Sequence, residues 1–231
     1  DIMRIAYMSD IHSNIHAFER VLEELEKEDV DKIYCCGDIV GYNAFPSECI
    51  RLVKEKIDGS VMGNHDYATL TGNTGWFNEY GVEGVNYTRR TISEEDMDFL
   101  ESLETHIYLK VDKLRIYITH GSPRDEIFEY IFPDSRDELL LTLADMAKAD
   151  VLVMGHTHIP MERRIKGKIF LNPGSVGQPR DGNPKASFMI FDTESREAHF
   201  KRVSYDVDKA AKAIIEKGLP RFLAQRLYLG I

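Results

Sequence analysis

Six short motifs built from Asp, His, Asn and Gly recur along this chain, and each follows a short apolar run. They are Asp10-Ile11-His12, Gly37-Asp38, Gly63-Asn64-His65-Asp66, His120-Gly121, Gly155-His156-Thr157-His158 and Asn172-Pro173-Gly174-Ser175. Carboxylate, imidazole and amide groups are ligands of divalent metal ions. Five of the eight histidines fall within these motifs, so coincidence explains the pattern poorly. The pattern predicts a polynuclear metal site assembled from the whole chain.

The types of candidate ligand indicate the chemistry. They are two carboxylates, one amide and four imidazoles: Asp10, Asp38, Asn64, His12, His120, His156 and His158. Two divalent cations bring more positive charge than two carboxylates and a bridging hydroxide can neutralise, so the site attracts anions. Two metals ~3.5–4 Å apart can activate a bridging water and hold phosphoryl oxygens. Nitrogen and oxygen ligation without thiolate favours Mn, Fe, Co, Ni or Zn over Ca.

The elements that position these groups are predicted strands. The runs are Arg4–Met8, Lys32–Cys36, Ser60–Met62, Leu114–Thr119, Val151–Met154 and Lys168–Leu171. Helix patterns alternate with them over the first two thirds of the chain, and strand patterns dominate later. In open α/β sheets, ligand sites form beyond the carboxyl ends of strands. Because Asp10 and His12 are two residues apart, as are His156 and His158, an extended backbone would align each pair.

Composition narrows the class of protein. At 231 residues with 43% hydrophobic content, the chain predicts one α/β domain spanning residues 1–231. A net charge of −10 argues against a nucleic-acid or anionic-membrane partner. We expect a cytoplasmic protein, because no apolar run approaches ~20 residues, no signal-peptide pattern opens the chain, and the cysteines match no disulfide or zinc spacing. We predict that the thiols of Cys35 and Cys36 are buried, because both residues lie within an apolar run. The oligomeric state is left open.

Five of the motifs resemble, in order, the signature blocks of the calcineurin-like metallophosphoesterase superfamily. The matching segments are Ser9–Asn14, Gly37–Tyr42, Gly63–Asp66, Thr119–Gly121 and Gly155–His158. Within the superfamily, the chain is most similar to small prokaryotic phosphodiesterases, some of which resemble diadenosine tetraphosphatases. The resemblance implies a four-layer α/β/β/α sandwich, in which helices flank two mixed β-sheets and a dimetal site lies at one edge of both.

The resemblance also implies roles for the residues. Asp10, His12 and His158 would hold one metal, Asn64, His120 and His156 would hold the other, and Asp38 would bridge them. His65 corresponds to a catalytic histidine that protonates the leaving-group oxygen, and Asp66 would orient it. The alternative for His65 is a structural hydrogen bond. The Gly37–Tyr42 block lacks the arginine of the protein Ser/Thr phosphatases, so a phosphoprotein substrate loses support.

The expected activity is dimetal-dependent hydrolysis of phosphoric esters, with a metal-bridging hydroxide as the nucleophile and Mn²⁺ as the assay metal. Phosphodiesters or dinucleoside polyphosphates are the leading substrates, and the partner is a small phosphorylated molecule. A phosphomonoesterase acting on nucleotides or small phosphates is the alternative. A non-catalytic metal-binding scaffold, like the retromer subunit of this fold, is the rival from another class. The complete ligand set argues against that rival.

Clues to the substrate lie outside the ligands. Tyr42, Phe45 and Trp76 follow metal-binding blocks, where they could stack on a nucleobase or only pack within the fold. Arg180 could bind phosphate in a bidentate manner, or brace its loop through Asp181. The sixth motif has no assigned ligand and is expected to shape the site. The remaining histidines and the apolar segment Leu219–Leu229 are expected to be surface and packing features, respectively.

Overall fold

Two five-stranded mixed sheets form the centre of the molecule in the computed structural model, which describes residues 2–231. The strands are β1 (Arg4–Met8), β2 (Lys32–Cys35), β3 (Gly59–Ser60), β4 (His106–Val111), β5 (Leu114–Thr119), β6 (Val151–Met154), β7 (Met161–Ile165), β8 (Lys168–Asn172), β9 (Ala186–Asp192) and β10 (Ala198–Val203). The helices are α1 (Ile15–Glu26), α2 (Pro46–Lys56), α3 (Asn64–Thr71), α4 (Glu79–Thr91), α5 (Glu94–Glu101), α6 (Asp137–Ala147), α7 (Val207–Glu216) and α8 (Arg221–Leu229).

Each sheet has a parallel centre and antiparallel additions. The first has the order β10-β9-β1-β2-β3, in which β1, β2 and β3 run parallel. The second has the order β4-β5-β6-β8-β7, in which β5, β6 and β8 run parallel. The carboxyl ends of parallel strands lie at the same edge of a sheet. Each sheet therefore delivers the segments after its parallel strands to one edge.

The alternation of side chains along the strands explains the layers. In β1, Ile5 and Tyr7 belong to the core between the two sheets, with residues of β5 and β6. The intervening Ala6 and Met8 belong to the core under α1 and α2. Helix α6 covers the outer face of the second sheet through Leu140, which packs in a separate cluster. The predicted four-layer α/β/β/α sandwich is confirmed.

Local features mostly follow the sequence pattern. Asn14 caps α1 through a bond from the Ala17 N–H, and Ser93 with Asp96 forms the capping box of α5. The strand predicted at Ser60–Met62 is wrong in its bounds, because regular pairing covers only Gly59–Ser60. The three cysteines are buried and unpaired. Leu223 and Leu227 of α8 pack in a cluster with α7.

Within residues 2–231, no helix combines the length and the apolar character needed to cross a membrane.

Candidate metal centre

Five loops bring all seven candidate ligands together at one edge of the two sheets. The loops after β1, β2 and β3 supply Asp10, His12, Asp38 and Asn64, and those after β5 and β6 supply His120, His156 and His158. None of the seven is more than 6% exposed. Six of the seven, together with His65, fall into three groups whose donor atoms lie within 4.8 Å of one another. These are Asp10–His12–His158, Asp38–His120–His156 and His12–Asp38–His65.

Asp38 belongs to the group with His120 and His156 and also faces the group with Asp10, His12 and His158. Its Oδ2 atom is 3.5 Å from His12 Nε2 and 3.2 Å from His120 Nε2. The Asn64 Oδ1 atom lies 2.9 Å from the same nitrogen of His120. On the other side, Asp10 Oδ1 is 3.2 Å from His158 Nε2. One carboxylate thus faces donors of both groups.

One ring nitrogen of each of the four imidazoles is hydrogen-bonded to a backbone carbonyl oxygen. The pairs are His12 Nδ1 with Val40 O at 2.9 Å, His120 Nδ1 with Cys36 O at 2.7 Å, His158 Nδ1 with Gln178 O at 2.6 Å and His156 Nε2 with Phe128 O at 3.0 Å. A carbonyl oxygen only accepts hydrogen bonds, so the ring nitrogen facing it carries the proton. In the neutral ring the other nitrogen directs a lone pair inward, which is the arrangement found in metal-ligating histidines.

The inward atoms fit a cation. His12 Nε2 lies 3.0 Å from His158 Nε2, and His120 Nε2 lies 3.1 Å from His156 Nδ1. Nitrogens this close share either a proton or a cation, because two facing lone pairs repel. Asp10 Oδ1 is also buried and has no hydrogen-bond partner in the part of the chain that the structure describes. Unpartnered buried oxygen and converging imidazole nitrogens are the donors that a divalent transition metal requires.

The pKa values favour ligation by His156 and His158, whereas His120 is protonated at neutral pH until a metal displaces its proton. Burial lowers the pKa of both His156 and His158 to about 3, so both rings are neutral and keep a free lone pair. For His120, the neighbouring Asp38 carboxylate outweighs burial and raises the pKa to about 9. Burial opposes ionisation of Asp10 and Asp38, yet the adjacent histidines lower the pKa of both carboxyls. The two acids are therefore charged at neutral pH.

The backbone at the ligands is left-handed rather than extended. Asp10, His12, Asp38, His156 and His158 have φ between 47° and 75°. The expectation that an extended backbone aligns each Asp/His and His/His pair is therefore wrong. Hydrogen bonds between loops impose the conformation, such as Asp10 N to Gly37 O at 2.9 Å and His12 N to Asp38 O at 3.0 Å. Such positions cost about 1–3 kcal/mol each and cluster at functional sites.

Two glycines allow the loops to interlock. A Cβ atom at Gly63 would lie 2.1 Å from Asp38 Oδ1, and one at Gly155 would lie 2.2 Å from Ser9 Oγ. Neither approach leaves room for a side chain. These glycines let the segments after β1, β2, β3 and β6 approach one another closely enough to share the centre.

His65 lies beside the candidate ligands. The residue is 3% exposed, and its ring packs against Tyr42, His12 and Phe77 at centroid distances of 4.4, 4.8 and 4.6 Å. Its backbone N–H donates to Asp38 Oδ1 at 2.8 Å. Burial lowers the pKa of His65 well below its ordinary value, although Asp38 opposes this shift. The imidazole is thus neutral at pH 7 and carries a single N–H.

Asp66 has a different role from the predicted one. Its carboxylate accepts backbone N–H groups of Asp38, Ile39, Val40 and Gly63 at 2.9–3.3 Å. Within residues 2–231 it makes no hydrogen bond to the His65 imidazole, so the prediction that it orients this ring is wrong. Burial and the Asp38 carboxylate raise the pKa of Asp66 to about 7. Asp66 instead fixes the Asp38 loop against the start of α3.

The sixth motif braces the other loops. Asn172 Nδ2 donates to Gly155 O at 3.0 Å and to Thr157 Oγ1 at 3.1 Å. The Ser175 hydroxyl donates to Asp10 O at 2.8 Å. Both residues therefore brace ligand-bearing loops, and none of these hydrogen bonds involves a ligand nitrogen.

The three aromatic candidates differ in their surroundings. Tyr42 is buried against His12 and His65, and Phe45 packs near His16. Trp76 alone is open to solvent, with 77% of its surface exposed. It lines a cavity of about 340 Å³ together with Asn64, Asp125, Phe128, Tyr130 and His156. The sequence analysis did not single out Phe128 and Tyr130. The only local signal in this loop is the alternation of aromatic residues at Phe128, Tyr130 and Phe132.

Arg180 does not pair with Asp181. Its guanidinium donates to Gln178 Oε1 at 2.8 Å and lies 5.8 Å from the centre of the Tyr42 ring. Asp181 forms an ion pair with Arg202 instead, so bracing of the loop through Arg180 and Asp181 is wrong. The guanidinium is near enough to lower the pKa of His158, after the larger effect of burial. A positive charge therefore stands beside the centre.

Comparison with known proteins identifies the family. The sequence profile of the calcineurin-like phosphoesterase superfamily domain matches residues 3–196. The chain belongs to this superfamily. An uncharacterized protein of Methanocaldococcus jannaschii is 39% identical over 98% of both chains. Phosphodiesterase YfcE of Escherichia coli is 29% identical over 84% of this chain and 89% of its own. The predicted family and its class, metal-dependent phosphoesterases, are confirmed.

Solved structures agree with the assignment of this chain to the calcineurin-like phosphoesterase superfamily. The crystal structure of a metallophosphoesterase from Sphaerobacter thermophilus covers 100% of both chains at 33% identity, with a TM-score of 0.86. A hypothetical protein from Pyrococcus horikoshii has a TM-score of 0.90 at 22% identity, over 99% of this chain and 98% of its own. The first similarity supports the family, and the second shows the fold alone.

Proposed function

We propose that this phosphoesterase uses two divalent transition-metal ions to hydrolyse phosphoric esters. Asp10, His12 and His158 would hold one ion and Asn64, His120 and His156 the other, with Asp38 between them. The observation that carries the proposal is the position of Asp38 Oδ2, within 3.5 Å of donors in both groups. When bound, two such ions supply Lewis acidity to phosphoryl oxygens and activate a water molecule.

The protein residues supply position and charge. The carbonyl oxygens behind the four imidazoles accept from one nitrogen of each ring and so leave the other nitrogen facing inward. His156 and His158 are already neutral, whereas His120 would release a proton on binding a metal. Burial of all seven side chains excludes bulk water and strengthens their electrostatic interactions. The neutral His65 ring keeps one N–H, which can donate to the leaving-group oxygen. This role matters most for an alkoxide, which is a poor leaving group.

Two observations bear on the substrate. The cavity beside Asn64 and His156 offers room for an organic group attached to the phosphate, which favours a phosphodiester or a dinucleoside polyphosphate. The similarity to a protein named phosphodiesterase supports the same choice. Arg180 favours the second candidate, a phosphomonoesterase, because its charge near His158 would stabilise a phosphate dianion.

The test combines metal content with turnover. We expect elemental analysis of protein incubated with Mn²⁺ and desalted to give two ions per chain. We expect hydrolysis of both bis-p-nitrophenyl phosphate and p-nitrophenyl phosphate, abolished by EDTA and restored by Mn²⁺. The diester should have the higher kcat/KM, and the reverse order would favour the monoesterase. Two bound ions with no turnover of either substrate would contradict the enzymatic proposal, and a single bound ion would contradict the two-metal site.

A further inference from the structure

An aromatic cleft adjoins the candidate metal centre. We use this name for the cavity of about 340 Å³ lined by Trp76, Phe128 and Tyr130, with Asn64, Asp125 and His156 also on its walls. Pockets that hold small organic ligands measure roughly 300–1,000 Å³, so this cavity is at the small end of the range. It suits one group of nucleoside size rather than two.

Trp76 gives the cleft an unusual surface. Its 77% exposure is the greatest among the large hydrophobic side chains that the structure describes. Single exposed apolar side chains are common on proteins and need no explanation. Trp76 is different because it lies beside Phe128, with 6.0 Å between ring centroids, and lines a cavity that reaches two candidate metal ligands. An apolar ring in that position is available to a bound molecule.

Tyr130 connects the cleft to the centre directly. Its ring stacks on the His156 imidazole with 3.6 Å between centroids and 13° between planes. The Nδ1 atom of that imidazole faces His120, and its Nε2 atom donates to the backbone carbonyl of Phe128. The residues that form the cleft therefore also position a candidate ligand. A phosphate ester at the centre would have its organic group close to these rings.

Asp125 indicates which part of a substrate the cleft accepts. Its exposed carboxylate lies on the cleft wall, where it repels an anion. The phosphate would therefore occupy the centre and the uncharged part of the molecule the cleft. Aromatic walls stack on flat heterocycles and tolerate any base, because every base has a π-face.

We propose that the aromatic cleft binds the base of a nucleoside whose phosphate ester occupies the metal centre. The inference rests on the proposed phosphoesterase function and specifies its substrate class as nucleotide-containing esters. Base–aromatic stacking contributes ~1–3 kcal/mol per base, which is roughly 5- to 150-fold in Kd. Loss of the stacking surface should weaken binding of a nucleotide by a factor in that range.

The experiment measures binding without turnover. The probes are the phosphonate analogue of AMP, in which a methylene group replaces the ester oxygen, and the matching analogue of ribose 5-phosphate, which lacks the base. Trp76 is the only tryptophan, so its fluorescence reports on the cleft. With Mn²⁺-loaded protein, we expect saturable quenching by the AMP analogue at a Kd at least 5-fold below that of the ribose analogue, measured for both by calorimetry.

Variants separate stacking from other causes. In calorimetry, Trp76→Ala should bind the AMP analogue as weakly as the ribose analogue, and Trp76→Phe should recover part of the difference. Tyr108→Ala, which removes an exposed aromatic ring from β4, is the matched control and should bind both probes like wild type. Unchanged melting temperatures would show that each variant is folded.

The outcomes distinguish this inference from the proposed function. Equal affinity for the two probes, in protein that hydrolyses bis-p-nitrophenyl phosphate, would overturn the cleft proposal and leave the function intact. A base-dependent Kd that Trp76→Ala abolishes, in protein without phosphoesterase activity, would support the cleft and contradict the function. A Trp76→Ala variant that keeps the full base preference would place the base elsewhere and overturn the inference.

Discussion

The seven candidate ligands and the aromatic cleft lie side by side, yet they are built in opposite ways. Each imidazole of the centre is held by a backbone carbonyl, and no ligand is more than 6% exposed. In the cleft, Trp76 and Tyr130 are 77% and 48% exposed. Under the proposed function, interlocked loops would position the reacting atoms, and exposed side chains of the cleft would contact the organic part of the substrate. Changes in the centre should affect every substrate, and changes in the cleft only aromatic ones.

The largest effect should come from Asp38→Asn. This change removes the charge that faces both donor groups while keeping the shape of the side chain. We expect kcat/KM to fall at least about 10³-fold, or roughly 4 kcal/mol, with methyl p-nitrophenyl phosphate and bis-p-nitrophenyl phosphate alike. Elemental analysis should show fewer than two ions per chain. A loss of kcat/KM confined to bis-p-nitrophenyl phosphate would contradict the distinction between the centre and the cleft.

A smaller and more selective effect is expected for His65→Ala. General acid catalysis contributes typically 10²–10⁴-fold, so kcat should fall by about that factor for a dinucleotide, which has an alkoxide leaving group. The loss should be much smaller for bis-p-nitrophenyl phosphate, because nitrophenolate leaves without a proton. His65→Gln, which retains an N–H donor, should lose less than His65→Ala.

Metal content decides how the His65 result is interpreted. We expect His65→Ala to retain two ions per chain, since four other side chains, including the shared Asp38, would face each proposed ion. His65 nevertheless shares a donor group with His12 and Asp38. If the variant loses an ion, His65 belongs to the centre as a ligand and its proposed role as proton donor is wrong.

The smallest effect should follow Asp150→Asn, a carboxylate at the opposite end of β6 from the centre. Hydrogen bonds from Arg115, and then Lys168, lower the pKa of Asp150 below its ordinary value of ~3.9. A depressed pKa stabilises the fold above the unfolded pKa, and this contribution is lost as pH falls toward the folded value. Urea unfolding should show a cost of about 1 kcal/mol at pH 7 that shrinks between roughly pH 5 and pH 2.

The same variant serves as the control for Asp38→Asn. Both changes neutralise one aspartate, and only Asp38 faces the candidate ligands. We expect Asp150→Asn to keep wild-type kcat/KM and two ions per chain. A comparable loss of activity in Asp150→Asn would mean that general charge, rather than the geometry of the centre, supports catalysis.

The sequence allowed prediction of the layers and of the residues that meet at the centre, because strand periodicity and the Asp, His and Gly motifs are local signals. It did not allow prediction of how the backbone presents those residues. The left-handed conformation of Asp10 and His12 comes from hydrogen bonds to Gly37 and Asp38, which follow almost thirty residues later. Such contacts exist only in the folded chain, so no local pattern reveals them.

Roles of side chains near the centre were harder to predict for the same reason. Asp66 follows His65 directly, but its carboxylate turns to backbone donors across the loop. Tyr42 and Trp76 are both aromatic residues after ligand blocks, yet one is buried against His12 and the other is open to solvent. Burial depends on what packs above each residue, which residue type and spacing do not specify.

The candidate ligands come from loops of both sheets, so two metal ions bound to them would cross-link the two halves of the sandwich. If the sheets separate even briefly, the ligands separate with them, and the released ions would no longer oppose further opening. Protein synthesised under metal limitation should then open more often and expose its inner faces to proteases. The supply of metal would thus determine the lifetime of the protein against proteolysis as well as its activity.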